Sequence, residues 1–399
     1  MGDKKNKIQE ISRRNFIRTS ALASLSLPIV FSPTYSKSTH QDSIYQAGPE
    51  WRNRQSGMAY RQLGRTGYMV SEVVNGGDPV STTNYRQVEL AIEMGLNYLD
   101  TAPAYGRGES EKGYGKVIDS SSKREKVFIN TKISSFTGVR NRFYREIFDG
   151  LPSGKQEKIL KKAAEMRLER GVDKPGYFFI YWPGQEQSMD PSYLSNAMMD
   201  DYGHLVDGSA KFRETIFNSL EESMKRVGTD YFDLVMCPHG ANCPEEVNVP
   251  EVFEIFADIK KQGKARYLGV SSHNDPAGVL KAAAATGKYD VAMVAYNVVN
   301  DGYLEDAIRQ AHDAGMGVIA MKVAMAVATQ HEELLPLPAW RGEKLNQLIP
   351  GEDMKLPVKA YLWALQNPRL SAVISNLWDE KYVRENLAVA GKKVDLNRG

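Results

Sequence analysis

The chain has 399 residues, 51 basic against 49 acidic side chains for a formal net charge of +2, and 42% hydrophobic residues. That length fits one large domain or two ordinary ones, and the apolar fraction is enough for a buried core. The charge balance argues against nucleic acid as a partner, and two cysteines make at most one bridge rather than a disulfide framework.

The first segment reads differently from the rest. "SRRNFIR" (12–18) precedes "TSALASLSLPIVFSP", a weakly apolar stretch without charge. A basic run before a short apolar one is the pattern of an export signal. Arg13, Arg14 and Phe16, in that order, resemble a twin-arginine signal, whose translocation machinery carries proteins already folded. Residues 1–40 are therefore read as signal peptide and linker. The expected location is periplasmic or otherwise extracytoplasmic. No later stretch approaches about 18 uncharged apolar residues, so no spanning helix is expected in the main body.

From residue 60 onward, short apolar runs alternate with amphipathic segments. "VSEVVNGG" (70–77) predicts a strand ending in a glycine turn, and 85–95 a helix with a glycine stop. "NYLDTA" is a strand and "ESEKGYGKVI" a helix. "KVFINTK" (126–132) is a strand rich in β-branched and aromatic residues. Residues 212–228 predict a strong helix, with apolar positions three and four apart and a terminal glycine. "YFDLVMCPH" and "VPEVFEIFADIKKQG" follow as strand and helix. Four further strands come at "ARYLGVSS", "DVAMVAYN", "GVIAMKVA" and "LSAVISN", each with a helix after it.

Eight strand–helix repeats predict a (β/α)8 TIM barrel. A doubly wound sheet would need G-x-G-x-x-G after an early strand, and "NGGDP" lacks that spacing. A long insertion after the third strand, about 137–209, breaks the rhythm. It contains a predicted helix and the aromatic cluster "YFFIYWPG" (177–184). It reads equally as a wall or lid over the catalytic face and as a subdomain with its own small core.

Residues at the C-terminal ends of barrel strands face the active site. Asp100 ends strand two, Tyr105 follows in its loop, Lys132 ends strand three and His239 ends strand four. A phenol, with its pKa near 10, is a poor acid–base catalyst at neutral pH. A neighbouring ammonium lowers that pKa, and a carboxylate holds the ammonium in place. A histidine beside the phenol can hydrogen-bond a substrate oxygen. Together these groups make a proton donor for a carbonyl receiving a hydride.

These segments resemble the aldo-keto reductase superfamily: "YRQLGRTGYMVSEV" (60–73), "GLNYLDTAPAYGRGESEKGYGKVI" (95–118), "VFINTK" (127–132), "SLEESMKRVGTDYFDLVMCPH" (219–239) and "GKARYLGVSSHN" (263–274). The resemblance covers a barrel over 59–390, apart from the insertion. It implies hydride transfer between NADP or NAD and a small-molecule carbonyl or alcohol. It also implies roles: Tyr105 as general acid/base, Lys132 tuning it, Asp100 paired with Lys132, and His239 orienting the carbonyl.

The same resemblance places the nicotinamide near Ser271 and Ser272 after strand five, Met293 on strand six, and Met321 and Lys322 after strand seven. The adenine end falls at Ser375, Asn376, Glu385 and Asn386. Members that use NADP carry an arginine where this chain has Tyr382, with Lys381 and Arg384 as substitutes at neighbouring helical positions, so NAD and NADP both stay open. Export adds the expectation of a tightly bound cofactor. The aromatic insertion is compatible with a sugar as substrate.

"CPHGANC" (237–243) holds both cysteines. Cys237 lies two residues before His239 and is expected on the same side, as a small filler beneath it. A Cys237–Cys243 bridge is a second reading. No metal site is expected, because the ligands of a metal-dependent hydrolase are lacking. His273 and His312 read as surface or packing residues. The alternative function is a barrel of weak turnover that senses or binds a ligand or nicotinamide.

Overall fold

The computed structural model describes residues 48–206, 208–351 and 353–397; the export signal expected at 1–40 lies outside them. Three short strands come first: β1 (Glu50–Trp51), β2 (Tyr60–Gln62) and β3 (Tyr68–Ser71). They form a small sheet in the order β1-β3-β2. The run expected as one strand over 70–77 is thus two: β3 in this sheet and β4 in the barrel.

Eight parallel strands then close a barrel: β4 (Val73–Gly76), β5 (Tyr98–Asp100), β6 (Phe128–Lys132), β7 (Phe232–Met236), β8 (Ala265–Ser272), β9 (Val291–Ala295), β10 (Gly317–Met321) and β11 (Ala372–Asn376). Closure comes from β11 pairing with β4, Val373 opposite Val73 and Asn376 opposite Gly76. β5, β6, β7 and β9 are buried along their whole length, as strands covered on both faces must be.

Among the described residues the longer helices are α1 (Arg86–Glu93), α2 (Glu109–Val117), α3 (Phe136–Asp149), α4 (Ser153–Arg170), α5 (Met189–Tyr202), α6 (Ser209–Val227), α7 (Pro250–Lys261), α8 (Pro276–Thr286), α9 (Asp301–Asp313), α10 (Ala339–Leu348), α11 (Leu356–Leu365) and α12 (Glu380–Leu387). Helices α3, α4 and α5 make up the insertion after the third barrel strand. The remaining helices supply the outer layer or the late loops.

The core has two shells. Alternate strand residues such as Val74, Tyr98, Phe128, Leu234, Met293 and Ile319 fill the barrel interior. Their neighbours, such as Val73, Leu99, Ile129 and Val235, pack outward on the helices. This is the period-two alternation of a strand closed into a cylinder. At one end Tyr68 of β3 stacks on Phe128, ring centroids 4.1 Å apart. Nearby, buried Asp233 is held by Arg52 at 3.0 Å and Arg124 at 2.8 Å. The other end, where β5 and β6 finish at Asp100 and Lys132, is open.

Glycine is required at one position there. A Cβ on Gly77 would come within 2.4 Å of the Asp100 carbonyl oxygen and 2.6 Å of Ser110 Oγ. Only a bare backbone lets the chain turn out of β4 so close to β5.

Candidate active site

The four catalytic candidates meet at the open end. Lys132 Nζ donates to Asp100 Oδ1 and Oδ2 at 2.5 and 2.7 Å, to the Thr101 carbonyl at 3.0 Å and to Tyr105 Oη at 3.1 Å. Asn130 Nδ2 donates to Asp100 Oδ1 at 2.5 Å. Asp100 and Lys132 are both buried because each stands at the last position of a barrel strand. Tyr105 opens a short 3-10 turn between β5 and α2, which carries its ring back over Lys132, 4.6 Å from Nζ to the ring centre. His239 lies edge-on to Tyr105, ring centroids 6.1 Å apart.

The phenol differs from the sequence-based expectation. Burial pushes its pKa well above the ordinary value, and the Asp100 charge adds to the rise. Lys132 lies closer to both carboxylate oxygens than to the phenol. Burial also pushes Asp100 up and Lys132 down, each opposed by the charge of the other. Tyr105 is therefore held protonated, which suits a donor rather than a resting base.

His239 is neutral. Burial, then the charges of Lys132 and Lys322, push its pKa down to about 3. Ser134 Oγ lies 2.8 Å from Nδ1. If the serine donates that bond, Nδ1 accepts and Nε2 keeps the proton, free to donate to a substrate oxygen.

Asp100, Tyr105 and His239 line a cavity of about 970 Å³, the upper end of the range of about 300–1,000 Å³ for small-molecule sites. Of the expected cofactor residues, Met321, Lys322, Asn376, Glu385 and Asn386 line it, with Met293 and Tyr382. Ser271, Ser272 and Ser375 are buried, and their hydroxyls are bonded within the protein. Ser271 Oγ accepts from Gly240 N at 2.9 Å and Ser272 Oγ donates to the Ala241 carbonyl at 2.7 Å. Ser375 Oγ accepts from Asn386 Nδ2 at 2.9 Å. Their hydroxyls tie neighbouring loops and helices to the strands.

The insertion is a wall of this cavity. Trp182 and Ser188 line it. A buried polar network fixes the wall to the barrel loops. Gln185 Nε2 donates to Asn274 Oδ1 at 2.7 Å, and Asn274 Nδ2 to Asn242 Oδ1 at 2.7 Å. Asn242 Nδ2 donates in turn to the Ser188 carbonyl at 3.1 Å and to Ser192 Oγ at 3.0 Å. Satisfied buried networks of this kind rigidify a structure.

The cysteines take no part. Both are free and buried, and burial pushes both thiols up. Cys237 packs in the outer shell rather than beneath His239. β7 ends at Met236, an inward residue, so Cys237 still points outward; the chain then leaves the strand and the alternation no longer applies to residue 239. Cys243 Sγ accepts from Asn196 Nδ2 at 2.6 Å.

Three contributors were missed in the sequence. His273 lines the cavity beside Trp182, ring centroids 4.9 Å apart. Its position just past the end of β8 was the available signal. Ser134 lies two residues past β6, the same signal in a residue type too common to single out. Asn242 belongs to "CPHGANC", where the cysteines drew the attention.

The aldo/keto reductase family model matches residues 74–206 and 198–396. An aldo-keto reductase of Fusarium vanettenii is 25% identical over 279 residues, 65% of this chain, and the match spans only 62% of that protein's length. Among solved structures, the holo form of the aldo-keto reductase AKR11C1 from Bacillus halodurans is similar with a TM-score of 0.55 and 20% identity, covering 84% of this chain and 92% of that one. An aldo/keto reductase from Klebsiella pneumoniae, in complex with NADP and acetate, is similar with a TM-score of 0.52 and 14% identity, over 85% and 92% of the two chains. The structural likenesses concern the fold. The family match, over a barrel whose strand ends bring Asp100, Tyr105, Lys132 and His239 together, shows that this chain belongs to the aldo/keto reductase family of oxidoreductases.

Proposed function

We propose that the protein reduces a carbonyl compound, or oxidises the matching alcohol, with NAD or NADP. The observation that carries this reading is the relay from Asp100 through Lys132 to the Tyr105 hydroxyl, with neutral His239 edge-on beside it.

A nicotinamide in the cavity would supply or take the hydride. The chain's own groups handle the oxygen. His239 Nε2–H donates to the carbonyl oxygen and positions it. Tyr105 gives that oxygen its proton as negative charge develops there. The Lys132 ammonium then stabilises the phenolate, and Asp100 keeps the ammonium charged and aimed. Oxidation of the alcohol runs the same steps backwards.

The cavity fits an elongated cofactor, because it is continuous from Tyr105 and His239 to Asn376, Tyr382, Glu385 and Asn386. At that far end Lys355 Nζ donates to both Glu385 oxygens, at 2.7 and 2.8 Å. Its charge is thereby engaged, and Tyr382 brings none. Lys381 and Arg384 on the same helix are the remaining cations for a 2′-phosphate, so NAD and NADP both stay open. Export by the twin-arginine route, proposed from Arg13 and Arg14, would place the enzyme outside the cytoplasm and favour a cofactor that stays bound.

The test is to titrate the purified protein with NAD and NADP, and to measure carbonyl reduction by wild type and Tyr105→Phe. Equal rates for the two would sink the mechanism. A second reading, a ligand-binding barrel of weak turnover, draws on the altered adenine-end loop, where Tyr382 stands in place of an arginine. Stoichiometric nucleotide binding with no turnover across a broad carbonyl panel would favour it.

A further inference from the structure

Lys322 is the residue that the mechanism leaves unused. It follows β10 directly and lines the cavity. Its backbone is left-handed, φ 60°, a conformation that residues other than glycine adopt infrequently and that concentrates at functional sites. Its ammonium sits 5.2 Å from the Trp182 ring centre and 5.8 Å from that of Tyr181, both on the insertion.

The charges around it are unevenly matched. Lys132 has Asp100 at 2.5 Å, and Lys355 has Glu385 at 2.7 Å. Among the described residues, no carboxylate is in salt-bridge contact with Lys322; exposed Asp78, also on the cavity, acts on it from longer range. The two histidines beside it offer no negative charge and are held neutral, in part by Lys322 itself. Burial pushes the Lys322 pKa down to about 8, which leaves the ammonium mostly protonated at neutral pH. A desolvated cation covered by aromatic faces gains from an incoming anion what it lost in leaving water.

We infer that Lys322 seats an anionic group of the substrate, a carboxylate, so that the compound turned over is an oxo acid or its hydroxy-acid counterpart. This rests on the reading of the cavity as a carbonyl site. The ammonium faces the wall that carries Trp182, and its field falls on His239 and Lys132. It therefore meets a group attached to the molecule whose carbonyl lies at Tyr105. The cofactor's phosphates are the other source of negative charge, and the test separates the two.

The experiment is calorimetric titration of the full chain, without turnover, using 4-carboxybenzaldehyde and its methyl ester. Wild type should bind the acid at least tenfold more tightly than the ester. That ratio should fall to near one in Lys322→Met and Lys322→Gln and be kept in Lys322→Arg, whatever the change in NAD and NADP affinity. Equal binding of acid and ester by wild type would overturn the inference. So would a tenfold loss of NADP or NAD affinity in Lys322→Met with the acid-to-ester ratio kept, which assigns Lys322 to the cofactor phosphates. Binding is read directly, so a failure of Tyr105 chemistry would show in rates and leave this result standing.

Discussion

Lys132 and Asp100 form an ion pair at 2.5 Å with 1% of either side chain exposed. The pair stands at the ends of adjacent barrel strands, and Tyr105 rests on it at 3.1 Å. The ammonium thus faces a permanent carboxylate and a phenol that changes charge during reaction. Tyr105→Phe removes only the reacting hydroxyl. Carbonyl reduction should fall about 10²- to 10⁴-fold, the range for losing a general acid, with the melting temperature close to wild type.

Breaking the pair should cost stability as well as rate. Lys132→Met leaves Asp100 buried with an unpaired charge, a loss of about 3–5 kcal/mol. Asp100→Asn leaves the ammonium without its carboxylate and should also slow turnover. Denaturant titration checks the first effect. The contrast with Tyr105→Phe, slow but stable, separates the two roles.

His239 sets a pH dependence with a definite sign. Its folded pKa is about 3, against about 6.5 for an ordinary histidine. Between those values the unfolded chain binds the extra proton and the folded chain does not. Stability from this group is therefore complete above pH 6.5 and declines as pH falls toward 3. His239→Gln should flatten the fall of the urea midpoint between pH 6.5 and 4 relative to wild type. In wild type, kcat/KM for a neutral carbonyl should show no acid limb near 6.5; a limb there would contradict a neutral His239.

Trp182 tests the insertion as a substrate wall. Trp182→Ala should raise KM several-fold and change kcat little, because the residue touches the cavity and not the reacting groups. The polar network through Gln185, Asn274 and Asn242 stays in place, so the melting temperature should shift by only a few degrees. An unchanged KM across a panel of carbonyl substrates would remove Trp182 from the site.

Asp233 is the control at the opposite end of the barrel. It accepts from Ile129 N at 2.9 Å and pairs with Arg52 and Arg124. Asp233→Ala should cost about 3–5 kcal/mol, as for any buried pair that loses one partner. Below the new melting temperature, kcat/KM should match wild type.

Much of this site was legible in the sequence because barrels put chemistry at strand ends. Asp100 and Lys132 could be placed by counting to the last residue of a predicted strand. His239 could be placed by its segment, although it lies three residues past β7. The same counting misled at Cys237, which was expected beneath His239; alternation holds only while the chain remains a strand. It placed Ser271 and Ser272 at the cavity end of β8, where their hydroxyls bond Gly240 and Ala241 in the loop after β7.

The amino-acid order alone determined the barrel, through eight repeats of apolar strand and amphipathic helix, and the identity of the four groups that meet at its mouth. Only the tertiary structure decided how their charges divide. Burial at the barrel mouth raises the Tyr105 pKa and the Asp100 charge adds to the rise, and burial follows from how the loop after β5 packs in three dimensions. The fate of the insertion was decided in the same way. Its aromatic composition suits a separate small core or a cavity wall equally well, and the buried amide network that fixes it to the barrel loops joins residues far apart in the chain.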